Sequence, residues 1–150
     1  MGNLTEDFEF RGLIHQVTDP ELLKRLDNDF ITGYIGFDPT ADSLHVGHLL
    51  QLCTLKRIQS FGHQPIAVAG GGTAMVGDPG GKTEERTMLD NDQINENLEG
   101  IRPQLARLLD FSQSAGKSKA VLVNNADWLS EISLLEFLRQ VGKHFTVNQM

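Results

Sequence analysis

Cysteine is nearly absent from this 150-residue sequence, because Cys53 is its only one, and this excludes a disulfide framework and most metal-ribbon sites. No apolar run approaches the roughly 18–20 residues that span a bilayer, so a membrane protein is not expected. The first residues, MGNLTEDFEF, lack a basic region followed by an apolar stretch, so no secretory signal is indicated. These absences predict one cytoplasmic domain.

Positively charged residues are fewer than negatively charged ones. The 13 Lys and Arg residues face 20 Asp and Glu residues, for a formal net charge of −7. This balance argues against a chain that binds nucleic acid over its whole surface. It leaves room for local contact through clusters such as Lys56 and Arg57. With 39% hydrophobic and 22% charged residues, the composition is that of a globular domain rather than a disordered tail.

Strand-like and helical segments alternate along the chain. The strand-like segments are 31–37, 65–69 and 119–123, and the main helical patterns are 44–61, a stretch after Asp90, and 134–138. Units of this kind give a parallel sheet with helices on its faces, so we predict an α/β fold with a doubly wound parallel sheet. Such sheets usually continue to about five or six strands, so the chain is expected to be truncated after about three.

Two details of the helices follow from their sequences. The helix over 44–61 is expected to begin at a cap formed by Asp42 or Ser43. Val46, Leu49, Leu50 and Cys53 form its predicted apolar stripe, which Leu52, Leu55 and Ile58 broaden, so the helix is expected to be covered on more than one side. In the helix after Asp90, Gly100 and Pro103 predict a kink or a break.

Glycine is dense after the second predicted strand, over residues 70–81. The phosphate-binding fingerprints do not fit this loop, because Val76 stands where a Walker A pattern needs glycine and Met75 where a dinucleotide pattern needs it. The glycines instead predict backbone that approaches a ligand closely or adopts positive φ. An ordinary surface loop is the alternative.

Two histidines, His45 and His48, stand three residues apart at the start of the helix after the first strand. In a first turn they share one face, where free N–H groups and the helix dipole favour an anion such as a polyphosphate. Both imidazoles can donate to phosphate oxygens during an in-line displacement. Gly47 leaves room for a flat ring, and Thr40 adds a hydroxyl. Metal ligation, which needs a third ligand, and plain surface placement are the alternatives.

The segment from Tyr34 to His48, YIGFDPTADSLHVGH, carries a family resemblance. His45-Val-Gly-His48 resembles the HIGH signature of class I aminoacyl-tRNA synthetases, and the wider string resembles the bacterial tyrosyl-tRNA synthetases. The likeness covers nearly the whole chain. It implies the amino-terminal half of a Rossmann-like catalytic domain. Residues 1–30 would be a helical lead-in, 31–125 the first half of the nucleotide-binding fold, and 126–150 the start of a connecting, dimer-interface segment.

The resemblance implies a two-step ligase reaction, in which tyrosine and ATP give tyrosyl-adenylate and pyrophosphate, and the tyrosyl group then passes to tRNA(Tyr). It implies a homodimer, ATP as its Mg²⁺ complex, and no protein-bound metal. The implied catalytic residues are Thr40, His45, His48, Lys82 and Arg86. The implied tyrosine-binding residues are Tyr34, Gly36, Thr73 and Asp78. The implied ATP-binding residues are Asp38, Thr40, His45, Gly47 and His48.

Other interpretations stay open for single residues and for the chain. Tyr34 alone also fits a core aromatic, Asp78 a turn residue, and Arg86 a solvated charge. A non-catalytic nucleotide-binding or interaction module derived from the same fold is the alternative function. A third is a small nucleotidyltransferase that uses the histidine pair on another substrate, and Tyr34 and the loop around Asp78 argue against it.

Overall fold

A parallel sheet organises the chain, whose computed structural model describes residues 2–76 and 91–145, with only the backbone of Val76 and Asn91. Three strands are described, in the order β1-β2-β3. They are β1 (Thr32–Phe37), β2 (Gln64–Ala69) and β3 (Val121–Asn124). The predicted α/β class with a parallel sheet is confirmed. Asp78, Lys82 and Arg86, three of the predicted site residues, lie outside the described residues.

Helices occupy most of the chain between and around these strands. The described α-helices are α1 (Leu4–Phe10), α2 (Glu21–Asn28), α3 (Val46–Ser60), α4 (Gly71–Val76), α5 (Asn91–Ala106), α6 (Ala126–Leu129) and α7 (Leu134–Gln140). Short 3-10 helices cover Gln113–Ser118 and Gly142–His144. Within the described ranges, no helix combines the length and the apolar character needed to cross a bilayer.

The hydrophobic core lies on one face of the sheet, between β1, β2 and the helices α3 and α5. Its buried members are Leu4, Phe37, Leu52, Leu55, Ile58, Ala67, Ile101, Leu105, Leu109 and Ala120. Fully burying a leucine or phenylalanine side chain contributes roughly 1.5–3 kcal/mol, so this cluster is the main favourable term in folding. On the other face of β1, Tyr34 is 74% exposed. Only the core face is fully packed in the described part.

The prediction for α3 is confirmed for Leu52, Leu55 and Ile58, which are buried, and is wrong for the rest of its apolar stripe. Val46 is 84% and Leu50 61% exposed, and Leu49 and Cys53 are exposed as well. The residues that α3 buries are Leu52, Leu55, Ile58 and Gln59. The helix is apolar nearly all round, so its sequence periodicity does not decide which side faces the sheet. That choice is made by packing against β1 and β2, where Ile58 meets Gly33.

Of the kink or break predicted in the later helix, the break does not occur, because α5 continues through Gly100 and Pro103. A proline in a helix interior costs roughly 3 kcal/mol. Ile101 and Leu105 flank Pro103 and are almost fully buried, at 3% and 0% exposure. Their burial against the sheet holds the helix together through the proline.

The glycine-rich stretch after β2 begins as helix α4 rather than as a loop. Gly70 and Gly72 have no positive φ, so the predicted left-handed backbone is wrong for them. A Cβ on Gly70 would lie 2.7 Å from Asp38 Oδ1, and one on Gly72 would lie 3.2 Å from Asn125 Oδ1. At these positions glycine therefore allows the neighbouring loops to approach, and the close neighbours are protein side chains.

The rotated packing of α3 predicts a contrast between two leucines of this helix. We expect Leu55→Ala, at 0% exposure, to lower the free energy of unfolding by about 2–5 kcal/mol, because it leaves a cavity in the core. Leu50→Ala, at 61% exposure, should change it by about 0.5 kcal/mol or less. Urea denaturation of the 150-residue chain, followed by circular dichroism, measures both. Equal losses of unfolding free energy would contradict a packing of α3 that buries Leu55 and exposes Leu50.

Candidate functional site

The carboxyl ends of the three strands meet at one edge of the sheet. Phe37 pairs with Ala69, and Ala69 pairs with Asn124. Backbone hydrogen bonds extend this alignment into the loops, because Gly70 N donates to Phe37 O at 2.8 Å and Asn125 N donates to Ala69 O at 2.9 Å. Ligands of open α/β sheets bind outside the carboxyl ends of the strands, so a binding site is expected at this edge.

Two predicted tyrosine-binding residues lie on the open face of β1. Tyr34 is 74% exposed, which rules out its alternative interpretation as a core aromatic. Gly36 follows two residues later on the same face, and a Cβ built there would meet nothing within 4 Å. The strand therefore offers an unobstructed surface beside a phenol that is free to donate or accept a hydrogen bond.

The histidine pair forms the cap of α3, and this corrects the predicted cap at Asp42 or Ser43. His45 is the N-cap residue, with extended φ −96° and ψ 174°, and its Nδ1 accepts from Gly47 N at 3.0 Å. His48 Nδ1 accepts in return from His45 N at 3.4 Å. The two rings stack with their centroids 3.7 Å apart and their planes 20° apart. The predicted placement of both histidines on one face of the helix start is confirmed.

The capping bonds also decide which nitrogen of each ring carries a proton. A neutral imidazole has one acceptor and one donor nitrogen, and both Nδ1 atoms are acceptors here. Each neutral ring therefore keeps its proton on Nε2. In its neutral form each of the two rings thus carries an N–H donor on Nε2, and such donors suit phosphate oxygens.

Burial lowers the pKa of His48 below its usual value near 6.5, and the neighbouring His45 lowers it further, while Asp38 opposes both effects. The ring of Phe37 lies against His48, with centroids 5.9 Å apart. The lowered pKa favours the uncharged form of the His48 ring at neutral pH.

Glycine at position 47 is needed for this cap. A Cβ there would lie 2.9 Å from Cε1 and 3.0 Å from Nδ1 of the His45 ring. Any side chain at position 47 would push the His45 ring off the first turn. The room predicted at Gly47 for a ring is therefore taken up by His45 itself.

The remaining described site residues lie in the loops of the same edge. Asp38 follows β1, close to Gly70. Thr40 is exposed in the loop between β1 and α3. Thr73 is exposed on α4, where its hydroxyl donates to Gly70 O at 3.1 Å and lies 3.3 Å from Asn125 Nδ2.

Sequence reasoning missed two polar residues of α5 that hold the loop before α3. Asn97 Nδ2 donates to Pro39 O at 2.9 Å. Gln104 Oε1 accepts from Leu44 N at 3.0 Å. Their signal was present, since both are amides within the apolar stripe of α5, where an unpaired polar group is costly.

No group of three or more His, Cys, Asp or Glu side chains that could hold a metal ion comes together within residues 2–76 and 91–145. A separate cavity of about 570 Å³ lies between α1 and α3, and its walls include none of the predicted site residues that the structure describes. Phe10, Leu50 and Arg57 are among its walls. Arg57 is paired there with Asp7, so it is not a free cation.

Comparison with known proteins shows the family to which the chain belongs. The sequence model of the family described as tRNA synthetases class I (W and Y) matches residues 26–150. The chain belongs to this family, and the predicted resemblance is confirmed.

Relatives within the family point to one branch of it. The tyrosine–tRNA ligase of Roseiflexus castenholzii is 53% identical over 150 residues, which is 100% of this chain and 35% of that protein. The tyrosine–tRNA ligase of Bacillus velezensis is 54% identical, again over 100% of this chain and 35% of that protein. A C-terminally truncated mitochondrial tyrosyl-tRNA synthetase of Aspergillus nidulans has a similar structure, with a TM-score of 0.79, 32% identity, and coverage of 98% of this chain and 44% of that one. The chain thus spans about a third of the length of the curated relatives it matches.

The stacked pair predicts how the His48 titration responds to its neighbours. We expect His45→Ala to raise the pKa of His48, because a like charge and part of the burial are removed, and Asp38→Asn to lower it, because an attractive charge is removed. NMR titration of the ring protons measures both shifts. If neither variant moves the His48 pKa, the three groups are not neighbours.

The lowered pKa of His48 also determines the direction in which its contribution to folding stability changes with pH. The unfolded state binds a proton near pH 6.5 and the folded state binds it only at lower pH. Stability should therefore fall as the pH drops from 6.5 to the folded-state pKa, and level off below it. His48→Gln should remove this part of the slope.

Proposed function

We propose that this chain is the amino-terminal part of the catalytic domain of a tyrosine–tRNA ligase. Tyrosine would attack the α-phosphate of ATP to give tyrosyl-adenylate and pyrophosphate, and the tyrosyl group would then pass to tRNA(Tyr). The observation that carries the proposal is an exposed Tyr34 on the open face of β1 together with the stacked His45 and His48 beyond the carboxyl end of that strand. Membership of the class I (W and Y) family supports it.

The tyrosine substrate would lie along the open face of β1. Its phenol would meet Tyr34, and its body would cover the free space above Gly36. Thr73 and Asp78 would receive the substrate ammonium. A site that hydrogen-bonds a phenol rejects phenylalanine by a factor of about 10⁴–10⁵, because its own polar group would otherwise stay unpaired.

ATP would bind with its phosphates toward the cap of α3. The Nε2–H groups of His45 and His48 would donate to oxygens that gain charge in the transition state, and Thr40 would add its hydroxyl. Asp38 would flank the nucleotide, and Gly47 would serve the ATP site indirectly, by leaving room for the His45 ring. Mg²⁺ would arrive with ATP as its complex. Lys82 and Arg86 would hold the departing pyrophosphate.

Positioning and charge stabilisation are sufficient for this displacement. The carboxylate of tyrosine is itself the nucleophile, so no covalent enzyme intermediate is required. A neutral His48 is suited to the task, because a donor without net charge binds the developing anion without attracting other anions beforehand.

The segment after β3 supports a proposal for partners. Trp128, Leu134 and Leu135 are exposed, at 44%, 71% and 80%. We assign residues 126–150 to a connecting and dimer-interface segment, 31–125 to the first half of the nucleotide-binding fold, and 1–30 to a helical lead-in. The partners would be a second copy of the chain and tRNA(Tyr), in the cytoplasm.

Pyrophosphate exchange tests the first step. We expect the full-length gene product to exchange labelled pyrophosphate into ATP when tyrosine is present and not when tryptophan replaces it. Tyr34→Phe should retain exchange with tyrosine but lower discrimination against phenylalanine by about tenfold or more, since roughly 1–3 kcal/mol of hydrogen bonding is lost.

His45→Ala should lower kcat for exchange by about 10²-fold or more with little change in the KM for tyrosine, because its donor acts on charge that develops in the transition state. Exchange driven by tryptophan rather than tyrosine would refute the substrate assignment. ATP binding with no exchange by the full-length product would favour the non-catalytic nucleotide-binding module.

A further inference from the structure

The loop between β1 and α3, residues 38–45, carries Asp38, Thr40 and His45, and we call it the histidine loop. It is attached by side-chain hydrogen bonds to helix α5, which begins more than 40 residues later in the sequence. The polar residues of α5 that make these bonds are Asn97 and Gln104, seven residues and about two helical turns apart. Neither belongs to the strand-end edge itself.

Gln104 forms hydrogen bonds with the loop backbone on both sides of Ser43. Its Oε1 accepts from Leu44 N at 3.0 Å, and its Nε2 donates to Asp42 O at 3.0 Å. Nε2 also donates to Gly100 O at 2.9 Å, within α5 itself. The orientation of the amide is therefore unambiguous, because a backbone N–H only donates and a backbone carbonyl only accepts.

Gly100 allows the loop to come this close. A Cβ at this position would lie 2.5 Å from Asp42 O and 3.0 Å from Asp42 Cβ. The loop backbone therefore lies directly on the surface of α5, one turn before Gln104. This close approach gives a reason for a glycine inside a long helix, where it costs roughly 1 kcal/mol relative to alanine.

Asn97 holds the other end of the loop. Its side chain is 4% exposed, and its Nδ2 donates to Pro39 O at 2.9 Å. Pro39 is itself buried. A buried amide that lost this partner would be costly, so the bond fixes where the chain leaves β1.

We propose that Gln104 and Asn97 are positioning residues that hold the histidine loop, and through it the stacked His45 and His48, in the geometry needed for transition-state binding. The inference rests on the proposed function. Gln104 acts one residue before the N-cap, so it sets the direction in which the chain enters α3. A displacement of about 1 Å at a catalytic group costs up to about 10²-fold in rate.

Kinetics of the full-length gene product test this assignment. Gln104→Leu should lower kcat for tyrosine-dependent pyrophosphate exchange by about tenfold, with the KM for tyrosine changed less than about twofold, because tyrosine binds on β1 and not on the loop. The matched control is Asn95→Leu, which changes an exposed amide on the same helix and should leave kcat unchanged.

A double-mutant cycle separates positioning from a general loss of structure. If Gln104 acts through the stacked pair, adding Gln104→Leu to His45→Ala should cost clearly less than the roughly tenfold that it costs in the unmodified protein, because one of the two rings that it positions is already gone. Multiplication of the two effects would overturn the proposal. If Gln104→Leu does not fold, Gln104→Glu replaces it, because a carboxylate still accepts from Leu44 N but cannot donate to Asp42 O.

Ring NMR gives a readout that does not depend on activity. Gln104→Leu should move the His48 pKa toward its usual value as the stack loosens, and Asn95→Leu should not. A wild-type product without exchange would count against the proposed function alone, and the ring titration would still decide the positioning role. An unchanged His48 titration in Gln104→Leu would overturn the positioning role alone.

Discussion

The parallel register of the sheet is the constraint on which the rest of the site depends. It places Phe37 beside Ala69 and Ala69 beside Asn124, so the three loops after the strands leave from one edge. A slip of one residue between β1 and β2 would also turn the side chain of Tyr34 from the open face to the core face. Register therefore decides both where the loops meet and what the open face presents.

Packing on the core face makes the open face available. Helices α3 and α5 cover one side of β1 and β2 and supply most of the buried leucine and isoleucine. The same two helices hold the histidine loop in place. The N-cap of α3 is His45, at the end of the loop, and Gln104 of α5 is hydrogen-bonded to the loop backbone. The core and the candidate site thus share two helices, and hydrogen bonds from α5 reach the loop that leads into the histidine pair.

Much of the fold and of the candidate site could be predicted from the sequence, and the predictions that failed did so for physical reasons. The strands and the pairing of His45 with His48 could be predicted because β-branched runs and fixed spacings are local signals. The burial of Leu52, Leu55 and Ile58 could be predicted too, but the exposure of Val46, Leu49, Leu50 and Cys53 could not, because a helix that is apolar nearly all round is oriented by its tertiary neighbours. No break occurs at Pro103, since the burial of Ile101 and Leu105 outweighs the local penalty of the proline. The amide of Gln104 within the apolar stripe of α5 signals a polar contact, but no local pattern encodes its partner, which lies 60 residues away.

A crystal structure of the full-length gene product with tyrosine and a non-hydrolysable ATP analogue tests the central claim most directly. The claim predicts the substrate phenol within hydrogen-bond distance of Tyr34 Oη, and phosphate oxygens within that distance of Nε2 of His45 or His48. Ligands seated instead in the cavity between α1 and α3, with Tyr34 and both histidines unoccupied, would contradict it.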